Sequence, residues 1–330
     1  MKNKIIYKNS LIDLANPLLG SKIIFKTDDF FASASRILNP IPPVFKEGLF
    51  DKNGKWMDGW ETRRKRTKGH DYLIIKLGKP GSINKIDFDT SHFNGNHPSM
   101  VSLEGCNSRS DKIKGFKWKK IVGKIKTKAN KHHFVNIKSH SIFTHLKLNI
   151  FPDGGIARLR LYGAMSQKNN KITNKKINLA SILNGASVVA CNNEHFGSTE
   201  NLLAPGKGKN MGDGWETRRR RDGGFDWVIL KTVKGKEIQN IEISTHHFKG
   251  NYPNSCSVQA TFLSKKAGNK RIIQYSNKWK FLLNKSNLSA NKSHKFKNRL
   301  MKSSKINYVK INIFPDGGIS RFRMFGKAIK

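Results

Sequence analysis

The side chains best suited to chemistry lie in a nine-residue segment that occurs twice in the chain. Residues 58–66 read DGWETRRKR and residues 213–221 read DGWETRRRR, so eight of the nine positions are identical. Each copy holds acids, a Trp and a run of Arg, which is more than the chemistry of a turn requires. The acidic residues of this lysine-rich chain gather in the repeated segments, which indicates a specific need for a carboxylate. We therefore predict that the segment carries function.

The whole chain repeats around this segment. A Phe-Pro-Asp-Gly-Gly turn closes both halves, at Phe151 and at Phe314. Equivalent positions are 165 residues apart at Leu14, 155 at Asp58 and 163 at Phe151, so the first repeat carries a ten-residue insertion and the second an eight-residue one. Insertions of this size belong in surface loops. We predict a first domain at residues 1–165, an exposed Lys- and Asn-rich linker at 166–178, and a second domain at 179–330.

Segments rich in β-branched residues follow each Trp motif. Two kinds of strand are predicted in both halves: a β-branched one, and an alternating one that runs into a loop with Gly and Pro. They cover residues 71–78 and 87–90 in the first half, and 226–231 and 242–245 in the second. Residues 145–150 then alternate between polar and apolar side chains. No long helical period appears, so we predict an all-β fold with one sandwich for each repeat.

The formal net charge of +41 is the most unusual property of the composition. A chain this basic is ordinarily considered a nucleic-acid binder first, because Lys and Arg neutralise phosphates. Here the excess is mostly Lys interspersed with Asn, Ile and Ser throughout the chain, a pattern typical of a whole-sequence bias. We predict no specific nucleic-acid partner, although polyanions would still be attracted to the protein non-specifically.

The cysteines and the apolar segments indicate the compartment. Cys106, Cys191 and Cys256 have no close spacing and are odd in number, which argues against a disulfide framework and against a Cys-based zinc site. We expect buried, reduced thiols. No apolar run reaches the roughly 18 residues that span a bilayer, and the N-terminal residues mix Lys, Asn and Asp into their apolar stretches, unlike a signal peptide. We predict a cytoplasmic protein without membrane association.

Four repeated motifs together resemble the allantoicase family. They are DGWETRR at residue 58, GHDY at residue 69, DTSHFNGNHP at residue 89 and FPDGGIARLRLYG at residue 151, each with a counterpart in the second half. The resemblance covers about residues 14–326. It implies two tandem jelly-roll β-sandwiches similar to galactose-binding and discoidin-type domains. It also implies a hydrolase of C–N bonds in linear amidines, which converts allantoate to ureidoglycolate and urea in purine (allantoin) degradation.

Allantoate is a small carboxylate whose central carbon carries two ureido groups. Its cleavage needs an anchor for the carboxylate, a proton for the departing urea, and a base for a neighbouring N–H or a water. Under this resemblance we assign acid and base to Glu61 and His92, or to Glu216 and His247, because a partly buried carboxylate and an imidazole are both tunable toward neutrality. A histidine beside a Phe at a strand end is also a common hydrogen-bonded edge residue, and that alternative stays open.

Two kinds of side chain are predicted to bind the substrate. A guanidinium offers two parallel donors to a carboxylate, and an Asn amide hydrogen-bonds ureido groups. The candidates are Arg63, Arg64, Arg158 and Asn96 in the first repeat, and Arg218, Arg219, Arg321 and Asn251 in the second. The alternatives are an Arg run that pairs with Asp58 and Glu61, and asparagines that only form turns. In the Phe-Pro-Asp-Gly-Gly turns, Asp153 and Asp316 favour turn formation over catalysis.

Differences between the repeats leave open which of them holds the active site. His70 and Asp89 correspond to Phe225 and Ser244, so the first repeat keeps more ionisable groups. The His and Asp residues near position 90 match no standard metal-ligand spacing. The metal is left unassigned and no cofactor is required, with a divalent ion left open. The family resemblance implies a homo-oligomer. The alternative function is a non-catalytic sandwich that binds a small ligand or a carbohydrate.

Overall fold

The computed structural model describes residues 5–8, 11–166, 176–264, 267–302 and 304–329. The chain forms two compact units, one of residues 11–169 and one of residues 1–10 together with 170–330. Antiparallel strands build both, which confirms the predicted all-β class with one sandwich for each repeat. Most of the predicted linker lies outside the described residues, and its last three residues, Lys176–Asn178, form a strand that pairs with residues 325–327.

The strands are numbered along the chain. The N-terminal strand is β1 (Ile6–Tyr7). The first repeat contains β2 (Ile12–Asp13), β3 (Lys22–Lys26), β4 (Phe50–Asp51), β5 (Gly54–Lys55), β6 (Trp60–Glu61), β7 (Asp71–Asp89), β8 (Met100–Cys106), β9 (Lys119–Lys126), β10 (His132–Asn136), β11 (Ile142–Phe151), β12 (Gly155–Ile156) and β13 (Arg158–Met165). The second contains β14 (Lys176–Asn178), β15 (Ser187–Cys191), β16 (Trp215–Glu216), β17 (Asp226–Ser244), β18 (Ser255–Thr261), the helix α1 (Asn269–Ser276), β19 (Lys280–Asn287), β20 (Ser293–Phe296), β21 (Ile306–Phe314), β22 (Gly318–Ile319) and β23 (Arg321–Ala328). Short 3₁₀ turns occur at Pro17–Leu19, Ala34–Leu38, Ile113–Gly115, Ile182–Asn184, Thr199–Leu203 and Met211–Asp213.

One long strand, β7, belongs to both layers of the first sandwich. Its first part pairs with β3 and β11, and β8 and β9 complete that layer. Its second part pairs with β10 and β13, and β2 completes the other. The sequence predicts two separate strands here, at residues 71–78 and 87–90. That division was wrong, because pairing with both β11 and β13 continues through Gly81 and Ser82.

Two connections cross between the layers at the same end of the first sandwich. Residues 90–99 lead from the end of β7 to β8, and residues 152–157 lead from β11 to β13. The core beneath them is apolar: Leu146, Leu148 and Ile150 are fully buried, as the alternation in β11 predicts. The strands thereby hold both loops, and the short ladder between β6 and β12, on a rigid base.

The second repeat has the same strand order around the long strand β17. It pairs with β15 and β21 in one layer, continued by β18 and β19, and with β20 and β23 in the other, continued by β14. The N-terminal strand β1 adds to β15 at the edge of this unit. The helix α1 lies in the loop between β18 and β19, which is six residues longer than the loop between β8 and β9, and packs Ile272 into a cluster with Trp279 and Tyr308.

The three cysteines agree with the corresponding prediction. Cys106, Cys191 and Cys256 are buried and form no disulfide, as expected. Within the described ranges, no helix is both long enough and apolar enough to cross a membrane.

Candidate active site

Glu61 is held in place through its backbone. Its N–H donates to the carbonyl of Ala32 at 3.1 Å, and its own carbonyl accepts from the Ala32 N–H at 3.2 Å. The neighbouring Trp60 is fully buried and donates its indole N–H to the carbonyl of Asp28 at 2.8 Å. The carboxylate of Glu61 then accepts a hydrogen bond from Asn96 Nδ2 at 2.6 Å. Two predicted site residues from distant segments therefore form one pair.

The Phe-Pro-Asp-Gly-Gly turn positions Asn96. The Gly155 N–H donates to the Asn96 carbonyl at 2.7 Å. At Gly154, φ is +130°, and a Cβ there would lie 2.8 Å from the same carbonyl oxygen, so this position requires glycine. Asp153 accepts from the backbone N–H of Lys65 at 2.7 Å, so its side chain joins the turn to the Trp motif. The turn therefore supports the site without supplying its reactive groups.

His92 stands at the start of the same loop, in the left-handed region with φ 69°. Its backbone N–H donates to Asn130 Oδ1 at 2.9 Å, and its ring Nε2 lies 3.2 Å from the carbonyl oxygen of Pro43. A carbonyl only accepts, so Nε2 carries the proton and Nδ1 of the neutral ring carries the lone pair. Nδ1 has no hydrogen-bond partner among the described residues. This orientation suits His92 to accept a proton.

A cleft of about 250 Å³ opens beside His92 and Asn96. Its lining includes Phe45, Lys55, Met57, His92, Asn96 and Asn130. The ring of Phe45 stacks on the imidazole of His92 with centroids 6.0 Å apart. Phe45 and Lys55 both belong to the loop that holds the ten-residue insertion, and the hairpin of β4 and β5 forms part of that loop. The insertion therefore supplies one wall of the cleft.

The second repeat reproduces the pair and the histidine under a different loop. Asn251 donates to the carboxylate of Glu216. His247 has φ 73°, and its Nε2 lies 2.8 Å from the carbonyl oxygen of Gly208. The loop before β16 is ten residues shorter and forms a 3₁₀ turn instead of a hairpin. From this turn, the thioether of Met211 lies 3.8 Å from Asn251 Nδ2.

Arg158 and Arg321, two of the predicted carboxylate anchors, are buried and bonded to the protein. Arg158 donates to the side chain and the carbonyl of Asp58, both at 2.7 Å, and to the carbonyl of Ile41 at 2.9 Å. Arg321 donates in the same way to the side chain of Asp213 at 2.7 Å. Such a guanidinium has few donors left for a ligand. This geometry favours a different role, in which each pair anchors the loop before the Trp motif.

The other four arginines predicted to bind the substrate lie on the surface. Arg63 donates through Nε and Nη2 to Asp28 at 3.1 and 2.9 Å. In the second repeat, Arg218 Nη2 lies 3.2 Å from His195 Nδ1. Arg64 and Arg219 are exposed and make no side-chain hydrogen bond to any described residue. Neither contributes to the lining of the cleft, so the structure leaves their predicted roles untested.

The environment of Glu61 favours its protonated form. Burial raises the pKa of the carboxyl group above its usual value, and the hydrogen bond from Asn96 opposes this by stabilising the carboxylate. A raised pKa increases the protonated fraction near neutral pH, which suits a group that donates a proton.

The ionisable residues that distinguish the first repeat do not line the cleft. His70 Nε2 lies 3.1 Å from Asn149 Oδ1. Asp89 is buried beside Asp87, and the ring of His132 contacts Asp87 at 2.8 Å and lies 3.9 Å from Asp89. The described residues include no group of three or more His, Cys, Asp or Glu placed to hold a metal ion. The metal therefore stays unassigned.

Phe45, Lys55 and Asn130 were missed by the sequence analysis. The first two stand in the inserted loop, where comparison between the repeats offers little help. Asn130 had a signal, because the segment ANKHHF that begins at residue 129 returns as ANKSHKF at residue 290. Its counterpart Asn291 accepts from the His247 N–H at 2.8 Å, as Asn130 does from that of His92.

The fold and the site together define a class: a tandem jelly-roll protein with an acid, an amide and an imidazole at one end of each sandwich. The model of the allantoicase repeat matches residues 12–166 and 177–329, and the chain belongs to the allantoicase family. A probable allantoicase of Pseudomonas fluorescens is 46% identical, with all of both chains covered. One of Acinetobacter baylyi is 44% identical, over 97% of this chain and 96% of the relative. The crystal structure of allantoicase from Saccharomyces cerevisiae superposes with a TM-score of 0.80 at 34% identity, over 97% of this chain and 94% of that one.

Proposed function

We propose that the chain hydrolyses allantoate to ureidoglycolate and urea, a step of purine degradation, and that it does so at the cleft of its first repeat. The observation that carries the proposal is that Asn96, which donates to Glu61, lines one open cleft together with His92 in a chain of the allantoicase family. Glu61 is the acid, His92 is the base, and Asn96 orients the Glu61 carboxyl group.

The reaction breaks one C–N bond at the central carbon and adds water. His92 Nδ1 takes the N–H proton of the ureido group that is retained, the electron pair forms a C=N bond, and urea departs with the proton of Glu61. Water then adds: its oxygen bonds to the central carbon, its proton returns to Glu61, and His92 returns its proton to the nitrogen. Both side chains recover their starting state. Positioned proton transfer of this kind contributes about 10²- to 10⁴-fold in rate.

Three further properties are part of the proposal. The steps above are proton transfers, so we expect no cofactor requirement. The three buried thiols support a reducing, cytoplasmic location. We also expect a homo-oligomer, with neither a membrane nor a specific nucleic acid as partner.

Urea release from allantoate by the purified full-length chain tests the function. Release at the same rate with and without EDTA is the expected result. Loss in EDTA with recovery on adding a divalent cation would contradict the cofactor-free mechanism. A folded chain that releases no urea would overturn the enzyme assignment, and calorimetric titration with allantoate would then test the alternative of a ligand-binding sandwich.

A further inference from the structure

The allantoate carboxylate needs a cationic partner, and the arginines predicted for this purpose do not line the cleft. Arg158 is bonded to Asp58 and to backbone carbonyls, and Arg63 is bonded to Asp28. Of the side chains that line the cleft, Lys55 is the one with a permanent positive charge. It is therefore the candidate partner for an anionic group in this cleft.

Lys55 is held at the wall of the cleft by an aromatic ring. Its Nζ lies 4.7 Å from the centroid of the Phe45 ring, within the range of a cation–π interaction, and that ring stacks on His92. No carboxylate of the described residues lies within ion-pair distance of Lys55. The ammonium thus lies on the ring that stacks on the imidazole, and no anion of the described residues neutralises it.

In the second repeat, the residue at the same distance from the Trp motif is uncharged. Lys55 precedes Asp58 by three residues, and the residue three before Asp213 is Asn210. The side chain of Asn210 accepts a hydrogen bond from the backbone N–H of Asp213 at 3.1 Å, so it is part of the 3₁₀ turn. A lysine of the second repeat, Lys249, occupies instead the position equivalent to Asn94.

We propose that Lys55 binds the carboxylate of the substrate and so confines productive binding to the first repeat. This inference rests on the proposed function, because it takes allantoate as the ligand. A charge-assisted hydrogen bond from the ammonium would hold the carboxylate at the inserted loop. The ureido groups then extend toward His92 and Asn96, which line the same cleft.

Steady-state kinetics of Lys55→Met tests the inference. Lys55 is exposed, so the substitution leaves the core intact. We expect KM for allantoate to rise roughly ten- to hundredfold with kcat little changed, because a contact made equally in ground and transition states is lost. Lys55→Arg should restore most of the affinity. The neutral carboxamide analogue of allantoate should be a poorer substrate for the wild type, and this preference should disappear in Lys55→Met.

Two lysines serve as matched controls. Lys52, in the turn of the same hairpin, and Lys249, in the second repeat, are both exposed and lie outside the lining of the cleft. Lys52→Met and Lys249→Met should keep the wild-type KM. An unchanged KM in Lys55→Met, or an equal rise in Lys249→Met, would overturn the inference.

A binding experiment separates failure of this inference from failure of the proposed function. Allantoate is titrated calorimetrically into Glu61→Gln and into Glu61→Gln with Lys55→Met. Suppose that the wild type releases no urea, and that Glu61→Gln binds allantoate but the double variant does not. The proposed hydrolysis is then wrong, and the carboxylate site at Lys55 is supported. If the wild type is active and both proteins bind equally, Lys55 is not the anchor. If neither protein binds allantoate, the inference is overturned.

Discussion

The two repeats place the same three groups at the same end of a sandwich and cover them differently. In each, an Asn donates to a Glu, and a His in the left-handed region directs Nε2 to a loop carbonyl. In the first repeat that carbonyl belongs to Pro43, in a loop that also stacks Phe45 on the imidazole and brings Lys55 to the lining of the cleft. In the second it belongs to Gly208, in a loop ten residues shorter. The repeated residues build the framework, and the unrepeated loop distinguishes the two sites.

The largest expected difference concerns the two histidines. Asn tolerates the left-handed backbone, so His92→Asn should keep the loop and remove only the imidazole. We expect kcat to fall about 10²- to 10⁴-fold, because the base is lost. His247→Asn makes the same change in the second repeat and should leave kcat near the wild-type value. Equal losses of kcat in the two variants, measured by urea release, would show that both repeats are catalytic.

The repeats also differ around a lysine that occupies equivalent positions in β11 and β21. Lys147 pairs across the strands with Glu104 and lies 3.7 Å from its carboxylate. Lys310 pairs with Gln259 and is almost fully buried, with Nζ 5.2 Å from the centroid of the Trp227 ring. Burial lowers the pKa of Lys310 from its ordinary 10.5 to about 8. The second repeat therefore holds a buried cation at neutral pH, with no carboxylate of the described residues beside it.

Replacing this lysine should stabilise the protein. Lys310→Met is expected to raise the free energy of unfolding at pH 7 by about 1–3 kcal/mol, because the buried charge is removed. From pH 8 to 10.5 the unfolded wild type binds more protons here than the folded one, so wild-type stability rises with pH and the advantage of the variant shrinks. Denaturant unfolding at pH 7 and pH 10 measures both effects. Lys147→Met, which breaks an ion pair, should not stabilise. A pH-independent difference for Lys310→Met would contradict this reading.

A smaller difference is expected from the two asparagines. Asn96 stabilises the ionised form of Glu61, so Asn96→Ala should raise the pKa of that carboxyl group. The acid acts in its protonated form. The pH at which kcat begins to fall should therefore rise by about one unit. The pH–rate profile of Asn251→Ala should match the wild type. A shift caused by Asn251→Ala alone would move the active site to the second repeat.

Most of the fold could be predicted from the sequence. Alternating side chains in β11 and the recurrence of each motif were sufficient for two all-β sandwiches, because burial of one face imposes a period of two residues. The continuity of β7 was not predicted. Pro80 and Gly81 are ordinarily signals that a strand ends, yet here the strand passes between the layers at this point.

The site was predictable only where it is repeated. Glu61, Asn96 and His92 were found because their counterparts recur, and Asn96 both donates to Glu61 and lines the cleft with His92. Arg158 recurs equally well, yet its guanidinium is bonded to Asp58, so recurrence alone does not separate structural from reactive residues. Lys55 has no recurring partner, and its proximity to His92 depends on how the inserted hairpin folds.

The most direct test of a single active site in the first repeat is urea release by Glu61→Gln and Glu216→Gln. Each substitution keeps the shape of the side chain and removes its titration. We predict that kcat falls about 10²- to 10⁴-fold in Glu61→Gln and stays near the wild-type value in Glu216→Gln. A loss confined to Glu216→Gln, or the same loss in both, would contradict the account.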